Sequence, residues 1–175
     1  MQAADPDGRP QAFDPVVDAG TRLLILGSLP GAASLAAGRY YAHPQNGFWR
    51  LVGGVIGVDL AARDYPARLA ALRAHGIGLW DMIATASRHG SLDAAIRDPV
   101  IRDLPAMAAR LPALRAIAFN GGTAARAGLR QLGPQSRWHT LTLLSSSPAC
   151  ARPAGLKQAD WMRLAAHLAA ANTAG

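Results

Sequence analysis

Four stretches of the chain are short, largely apolar and free of helical spacing: residues 22–26, 77–80, 115–119 and 139–144. Runs of this length bounded by turn residues predict strands buried on both faces. Elsewhere the apolar positions recur every three or four residues. Over residues 48–56, Phe48, Leu51, Val52 and Val55 share a face, which predicts a helix. Residues 65–75 form another, with Leu69 and Leu72 inward and Gly76 as its stop. Residues 99–110 (Ile101, Leu104, Met107 and Ala108 inward) and 123–131 (Thr123 an early cap) add two more. Residues 159–170 close the chain as an amphipathic helix, and a short helical turn is expected at 34–38.

The alternation of strand and helix argues for an α/β fold. It is expected to be a three-layer α/β/α sandwich around a central four-stranded parallel sheet. Residues 1–20, rich in Pro, Asp, Gly and Ala, read as a loose N-terminal arm, and residues 21–175 as a single domain without repeats or a long linker. Each strand ends in a polar or Gly/Pro break, at residues 27–31, 81, 120–122 and 145–149. A parallel sheet puts those ends on one edge, so four separate loops are expected to meet in one cleft.

Composition narrows the partners. Half of the residues are hydrophobic, and no apolar run is long enough to span a bilayer, so a soluble globular protein without a membrane partner is expected. The N-terminus lacks the basic and apolar regions of a signal peptide, which makes the cytoplasm the expected location. The net charge is +7, and 17 of the 18 basic residues are Arg, Lys157 being the exception. A GC-rich genome accounts for Arg over Lys. The positive balance is a separate fact that permits binding to a phosphate backbone, although charge alone is a weak signal. The single Cys150 excludes an internal disulfide, a cysteine-cluster zinc site and a four-cysteine iron–sulfur cluster. No metal or cofactor is expected.

The breaks carry the candidate chemistry. Gly27-Ser28-Leu29-Pro30-Gly31 lacks the Lys and Ser/Thr of a phosphate loop and the spacing of a dinucleotide fingerprint. It is either a plain tight turn or a set of backbone N–H groups at a strand end that can hold a base edge. His43, Asn46 and Phe48 follow within six residues. His43 beside Pro44 suits a fixed turn as well as a ligand contact. Asn46 offers one acceptor and two donors but is no strong base. Phe48 is either core or a stacking face. Ser145-Ser146-Ser147-Pro148-Ala149 lacks a nucleophile-elbow pattern and suits a loop that hugs a backbone. Asp81 is either a cap or an acceptor for a base N–H. Asn120-Gly121 is either a turn or a cleft group, and Arg88 and His89 are either plain surface groups or phosphate contacts.

Together these stretches resemble the uracil-DNA glycosylase superfamily. They resemble most its deoxyinosine, or hypoxanthine-DNA, glycosylase branch. The resemblance runs from Leu23 to about Trp161. It rests on Gly27-Ser28-Leu29-Pro30-Gly31 with Ser34-Leu35, and on Tyr40-Tyr41-Ala42-His43-Pro44-Gln45-Asn46-Gly47-Phe48-Trp49. It rests also on Leu79-Trp80-Asp81 with Gly90-Ser91-Leu92-Asp93 and Ile96, and on Phe119-Asn120-Gly121 followed by residues 145–149. The superfamily usually carries an Asp or Asn at the third position of the first turn to activate water; Leu29 stands there instead. The resemblance implies that Asn46 takes the catalytic role and that Phe48 stacks on the extruded base. It implies that Gly27, Ser28, Leu29 and Asp81 bind the base edge. Asp81 falls where uracil-specific relatives carry Asn. His43, Ser145, Ser146, Ser147, Pro148 and Ala149 are then expected against the DNA backbone, with Leu144 and Ser146 replacing the branch's Pro and Thr.

The activity implied is hydrolysis of the N-glycosidic bond of a flipped deaminated base, hypoxanthine or uracil, in DNA. The motifs contain no Lys for a lyase step, so a monofunctional, monomeric enzyme that leaves an abasic site is expected. Leu29 keeps open a catalytically silent DNA-binding module on the same fold. A hydrolase of small nucleosides is a third reading, for which the +7 charge gives no reason.

Overall fold

The computed structural model describes residues 9, 11–87 and 91–169. In chain order the strands are β1 (Leu23–Gly27), β2 (Ile77–Asp81), β3 (Ile83–Ser87), β4 (Arg97–Ile101), β5 (Ala116–Asn120) and β6 (His139–Leu143). The helices are α1 (Ala32–Ala37), α2 (Phe48–Ile56), α3 (Tyr65–Ala74), α4 (Leu104–Ala109), α5 (Gly122–Leu132) and α6 (Ala154–Trp161). The four apolar runs form one parallel sheet in the order β2-β1-β5-β6.

Alternate residues of β1, β2 and β5 feed two cores, and β6 feeds one of them. Leu23, Ile25, Ile77, Leu79, Ala118 and Leu141 face α2, α3 and Trp161 of α6. Leu24, Leu26, Trp80, Ile117 and Phe119 face α4 and α5. This is the expected α/β/α sandwich, and it explains why the strands read as continuous apolar runs. β1 and β5 are neighbours, with β2 on one side and β6 on the other, so the crevice opens where the strand order reverses.

Three expectations about the helices are corrected. Residues 99–110 are not one helix. Arg97–Ile101 is an extended strand, exposed throughout, that pairs antiparallel with β3, and Ile101 is 40% exposed. The helix starts only at Leu104, where Asp103 Oδ1 accepts the Ala106 N–H at 3.0 Å and Pro105 sits in the first turn. Thr123 lies inside α5 rather than capping it; the cap is Gly121. The closing helix ends at Trp161 and tightens into a 3₁₀ segment over Met162–His167. The expected loose arm is tied down over its later part. Val16 bridges Leu79, Gln11 bridges Thr85, and the Tyr40 hydroxyl donates to Asp14 O at 2.8 Å. Residues 1–8 and 10 of that arm lie outside the described residues, as do Arg88 and His89. Among the described residues no helix is long and apolar enough to cross a membrane.

Candidate active site

A cavity of about 410 Å³ opens at the carboxyl ends of β1, β2, β5 and β6. Its walls include residues 27–31, Tyr41, His43, Asn46, Asp81, Asn120 and residues 145–150, so the four expected loops do meet. Residues 91–93 close a further side. The volume lies in the range of small-molecule pockets and admits a single nucleobase.

The frame of the site is a knot around Ser146, which is only 2% exposed. Asn120 Oδ1 accepts the Ser146 N–H at 2.9 Å, and Asn120 Nδ2 donates to Ser146 Oγ at 2.8 Å. The Gly47 N–H donates to Ser146 O at 3.0 Å, which fastens the start of α2 to the same loop. Lys157, 8% exposed, donates from Nζ to Ser147 O at 3.1 Å from beneath. A sharp turn completes the frame: Gly121 has φ +97°, a value that favours glycine, and packs against Ser145. Ser146 is therefore a structural hinge-pin and does not present its hydroxyl to a phosphate. Ser145 and Ser147 are half-buried, and Pro148 and Ala149 are exposed at the rim. The Ser145 and Ser147 hydroxyls accept backbone N–H groups at 3.1 and 3.2 Å, leaving one O–H each to donate outward.

Phe48 is not where stacking on a ligand requires it. It is fully buried, its ring edge-on to Trp49 and Trp161, and one face is covered by Tyr41 at 3.8 Å and 9°. Phe48 is absent from the cavity wall, and Tyr41 is on it. Tyr41 is the aromatic that the sequence reading missed. Its backbone is left-handed, with φ +53°, a rare and strained state for a bulky residue. The state is held on every side. Tyr41 O accepts the Trp49 indole N–H at 3.1 Å, the phenol oxygen accepts from Asn120 Nδ2 at 3.3 Å, and the ring rests on Phe48. Burial, followed by the Asp81 charge, pushes the Tyr41 phenol well above its ordinary value, so the hydroxyl remains protonated.

Asp81, 3% exposed, lies on the cavity wall next to Gly27. A Cβ at Gly27 would fall 2.6 Å from Asp81 Oδ1 and 3.1 Å from the Tyr41 hydroxyl. The glycine thus lets a carboxylate and a phenol share the cavity floor. Ser28 Oγ donates to Asp93 Oδ1 at 2.7 Å, bringing to the rim a second carboxylate, one that the motif contained but that was given no role. Leu29 is 7% exposed and packs with Ile83 and Ala86, consistent with a side chain that does no chemistry.

Asn46 lines the cavity with its oxygen engaged: Oδ1 accepts the Phe48 N–H at 3.0 Å, satisfying one free donor at the start of α2. The amide NH₂ is the end left for a ligand. His43 Nδ1 accepts the Gln45 N–H at 3.1 Å, so in the neutral ring the proton sits on Nε2, an exposed donor at the rim. Among the described residues no cluster of His, Cys, Asp or Glu has the arrangement of a metal site.

The family model described as "Uracil DNA glycosylase superfamily" matches residues 15–169. A protein named "Hypoxanthine DNA glycosylase" from Methanosarcina barkeri is 40% identical over 153 residues, covering 86% of this chain and 94% of that protein. One of the same name from Methanosarcina acetivorans is 39% identical over 159 residues, covering 90% and 98%. A solution NMR structure of a candidate uracil DNA glycosylase from M. acetivorans superposes with a TM-score of 0.79 at 39% identity, covering 90% of this chain and 97% of the other. With the matched span enclosing the sheet and every loop of the cavity, the chain belongs to the uracil-DNA glycosylase superfamily.

Proposed function

We propose that the protein is a monofunctional DNA glycosylase that excises a deaminated base, hypoxanthine foremost, and leaves an abasic site. The observation that carries this is the convergence of the Tyr41 ring, the Asp81 carboxylate and the Asn46 amide on one cavity at the strand ends. The name of its two Methanosarcina relatives favours hypoxanthine over uracil.

Deamination gives the reader its signal. Adenine N1 accepts a hydrogen bond, whereas hypoxanthine N1 carries a proton; the same inversion separates cytosine N3 from uracil N3. Asp81 can only accept when ionised, so it pairs with the deaminated base and repels the parent. A site whose buried polar group is left unpaired by the wrong base discriminates by up to about 10⁴–10⁵-fold.

The reaction follows from the placement. The nucleotide is flipped out at a cost of a few kcal/mol, least for a mispaired base. The base slides over the face of Tyr41. The C1′–N bond breaks and its electron pair leaves on the base, while positive charge builds on the sugar. The Asn46 NH₂ donates toward the base as it becomes negative. The carboxylates of Asp81 and Asp93 offset the positive sugar. Water then adds to C1′ and its proton passes to the base or to solvent. Tyr41 takes the stacking role that resemblance assigned to Phe48, and Phe48 serves as the rigid backing for that ring.

Matched oligonucleotides carrying hypoxanthine, uracil or adenine, followed by alkaline cleavage, test the proposal. Wild type should release hypoxanthine and spare adenine. Asn46→Ala should bind the same duplex and excise at least about 100-fold more slowly. Binding without any base release by the wild type would favour the silent DNA-binding module.

A further inference from the structure

One buried charge takes no part in the chemistry described so far. Lys157, the sole lysine of the chain, is 8% exposed and lies off the cavity wall. A buried ammonium is ordinarily paired with a carboxylate, because an unpaired one forfeits its hydration. Among the described residues Lys157 forms no ion pair. Asp160, the next acid along the helix, is taken by Arg163 at 2.8 Å and by the Leu144 N–H at 2.7 Å. The place of Lys157 near the start of α6, with no acid in the first turn, adds to the cost, since the positive end of a helix disfavours a cation. Nζ meets a neutral acceptor instead, donating to Ser147 O at 3.1 Å. That oxygen also accepts the Cys150 N–H at 3.0 Å, which closes a turn over Ser147–Cys150 at the cavity rim.

Resting on the glycosylase reading above, we infer that Lys157 is a positioning residue whose counter-ion is supplied by the DNA: the phosphodiester that settles on the Ser145–Ala149 loop as the base is flipped. The phosphate itself meets the outer side of the loop, where the Ser145 and Ser147 hydroxyls each keep an O–H to donate. Lys157 works from the other side. It holds the Ser147 carbonyl turned inward, away from an arriving anion. The peptide of that carbonyl ends in Pro148, so it has no N–H of its own to attract one. The buried ammonium supplies the attraction through the loop, where water and salt screen it less than they screen a surface charge. A charge fixed there also favours the one register that sets a phosphate on the loop and the flipped nucleotide over the cavity.

Neutralising single phosphates tests this with the whole protein. Single-turnover excision is measured on duplexes with one hypoxanthine, unmodified or carrying a methylphosphonate at either linkage flanking it. Wild type is compared with Lys157→Met, which keeps the stem and removes the charge. Lys157→Met should slow excision from the unmodified duplex by on the order of tenfold, as for a partly screened charge pair. At one linkage the methylphosphonate should slow wild type by a similar factor and Lys157→Met by less than about twofold, because the same pair cannot be lost twice. Losses that multiply at both linkages would make Lys157 a plain structural support and overturn the inference, as would a wild-type rate for Lys157→Met. A second measurement needs neither a variant nor turnover. Labelled with carbon-13 lysine, the protein gives one Cε signal, since no other lysine is present. The signal should move on binding a duplex with 2′-fluoro-deoxyinosine, which resists cleavage, and move by half or less when one flanking linkage is a methylphosphonate. Equal displacement with the methylphosphonate at each linkage would overturn the inference, whether or not Lys157→Met folds. If wild type releases no base from any duplex, the glycosylase reading fails, while the Cε signal still decides whether Lys157 answers to a DNA phosphate.

Discussion

Replacing Asn120 by Ala should loosen the cavity while leaving the Asp81 and Asn46 side chains intact. The side chain makes three hydrogen bonds, to Ser146 N, Ser146 Oγ and the Tyr41 hydroxyl, at 2.9, 2.8 and 3.3 Å. The hydroxyls can rotate to other partners, but the Ser146 N–H, in a residue 2% exposed, cannot. An orphaned buried N–H costs about 1–3 kcal/mol, and the lost bonds add about 1 kcal/mol, for a total of roughly 2–4 kcal/mol. For a domain of this size that lowers Tm by about 5–15 °C. Thermal melts followed by circular dichroism measure it. A double-mutant cycle with Ser146→Ala isolates the pair and should return a coupling of about 1 kcal/mol. Asn120→Asp separates shape from charge. The carboxylate can still accept the Ser146 N–H, but burial beside Asp81 disfavours its ionised form. The variant should therefore regain stability as pH falls, since the folded state then holds the extra proton. An Asn120→Ala protein melting within about 2 °C of wild type, with additive double-mutant energies, would refute the knot as the frame of the site.

Two further outcomes follow from the cavity floor. The phenols of Tyr40 and Tyr41 are held above their ordinary value of 10.0 chiefly by burial. The folded state keeps protons that the unfolded chain releases above that pH, so stability is intact below about pH 10 and falls above it, by up to about 1.4 kcal/mol per pH unit for each phenol. Tyr40→Phe and Tyr41→Phe should each flatten the alkaline limb of a urea-titration series, and an unchanged slope in both would show that neither phenol resists ionisation. Gly27→Ala would press a methyl into Asp81 Oδ1 at 2.6 Å. Moving the carboxylate by even part of an ångström should cut single-turnover excision by on the order of 100-fold, with stability lowered by about 1–3 kcal/mol. Wild-type rates would mean that Asp81 does not read the base.

The sheet was legible because all its strands except β6 are fully buried, leaving five-residue apolar runs whose polar ends mark the edge of the cleft. Asp81 stood out because it interrupts an apolar stretch, and Asn46 through the resemblance carried by residues 40–49. The β3–β4 hairpin was not legible. Arg97–Ile101 is exposed at every position and shows no alternation, and Asp98-Pro99 imitates the start of a helix that begins five residues later. Tyr41 and Phe48 are both aromatics in one loop. Which of them faces the ligand depends on a left-handed backbone at Tyr41, a conformation that residue type does not encode. The three serines look equivalent in sequence, yet the side-chain amide of Asn120 selects Ser146 for the interior. Lys157 offered a faint signal as the sole lysine, but nothing in its spacing points to a carbonyl ten residues earlier.

The bonds that hold the cavity open run between Asn120, Ser146 and Gly47, while Tyr41, Asp81 and Asn46 line it. The frame reaches these three side chains at the phenol oxygen of Tyr41. On the function proposed above, lesion preference can drift through substitutions at these three positions, Asp81 above all, without the loops having to be re-solved each time. A glycosylase built this way is an adaptable starting point for selecting enzymes against other modified bases.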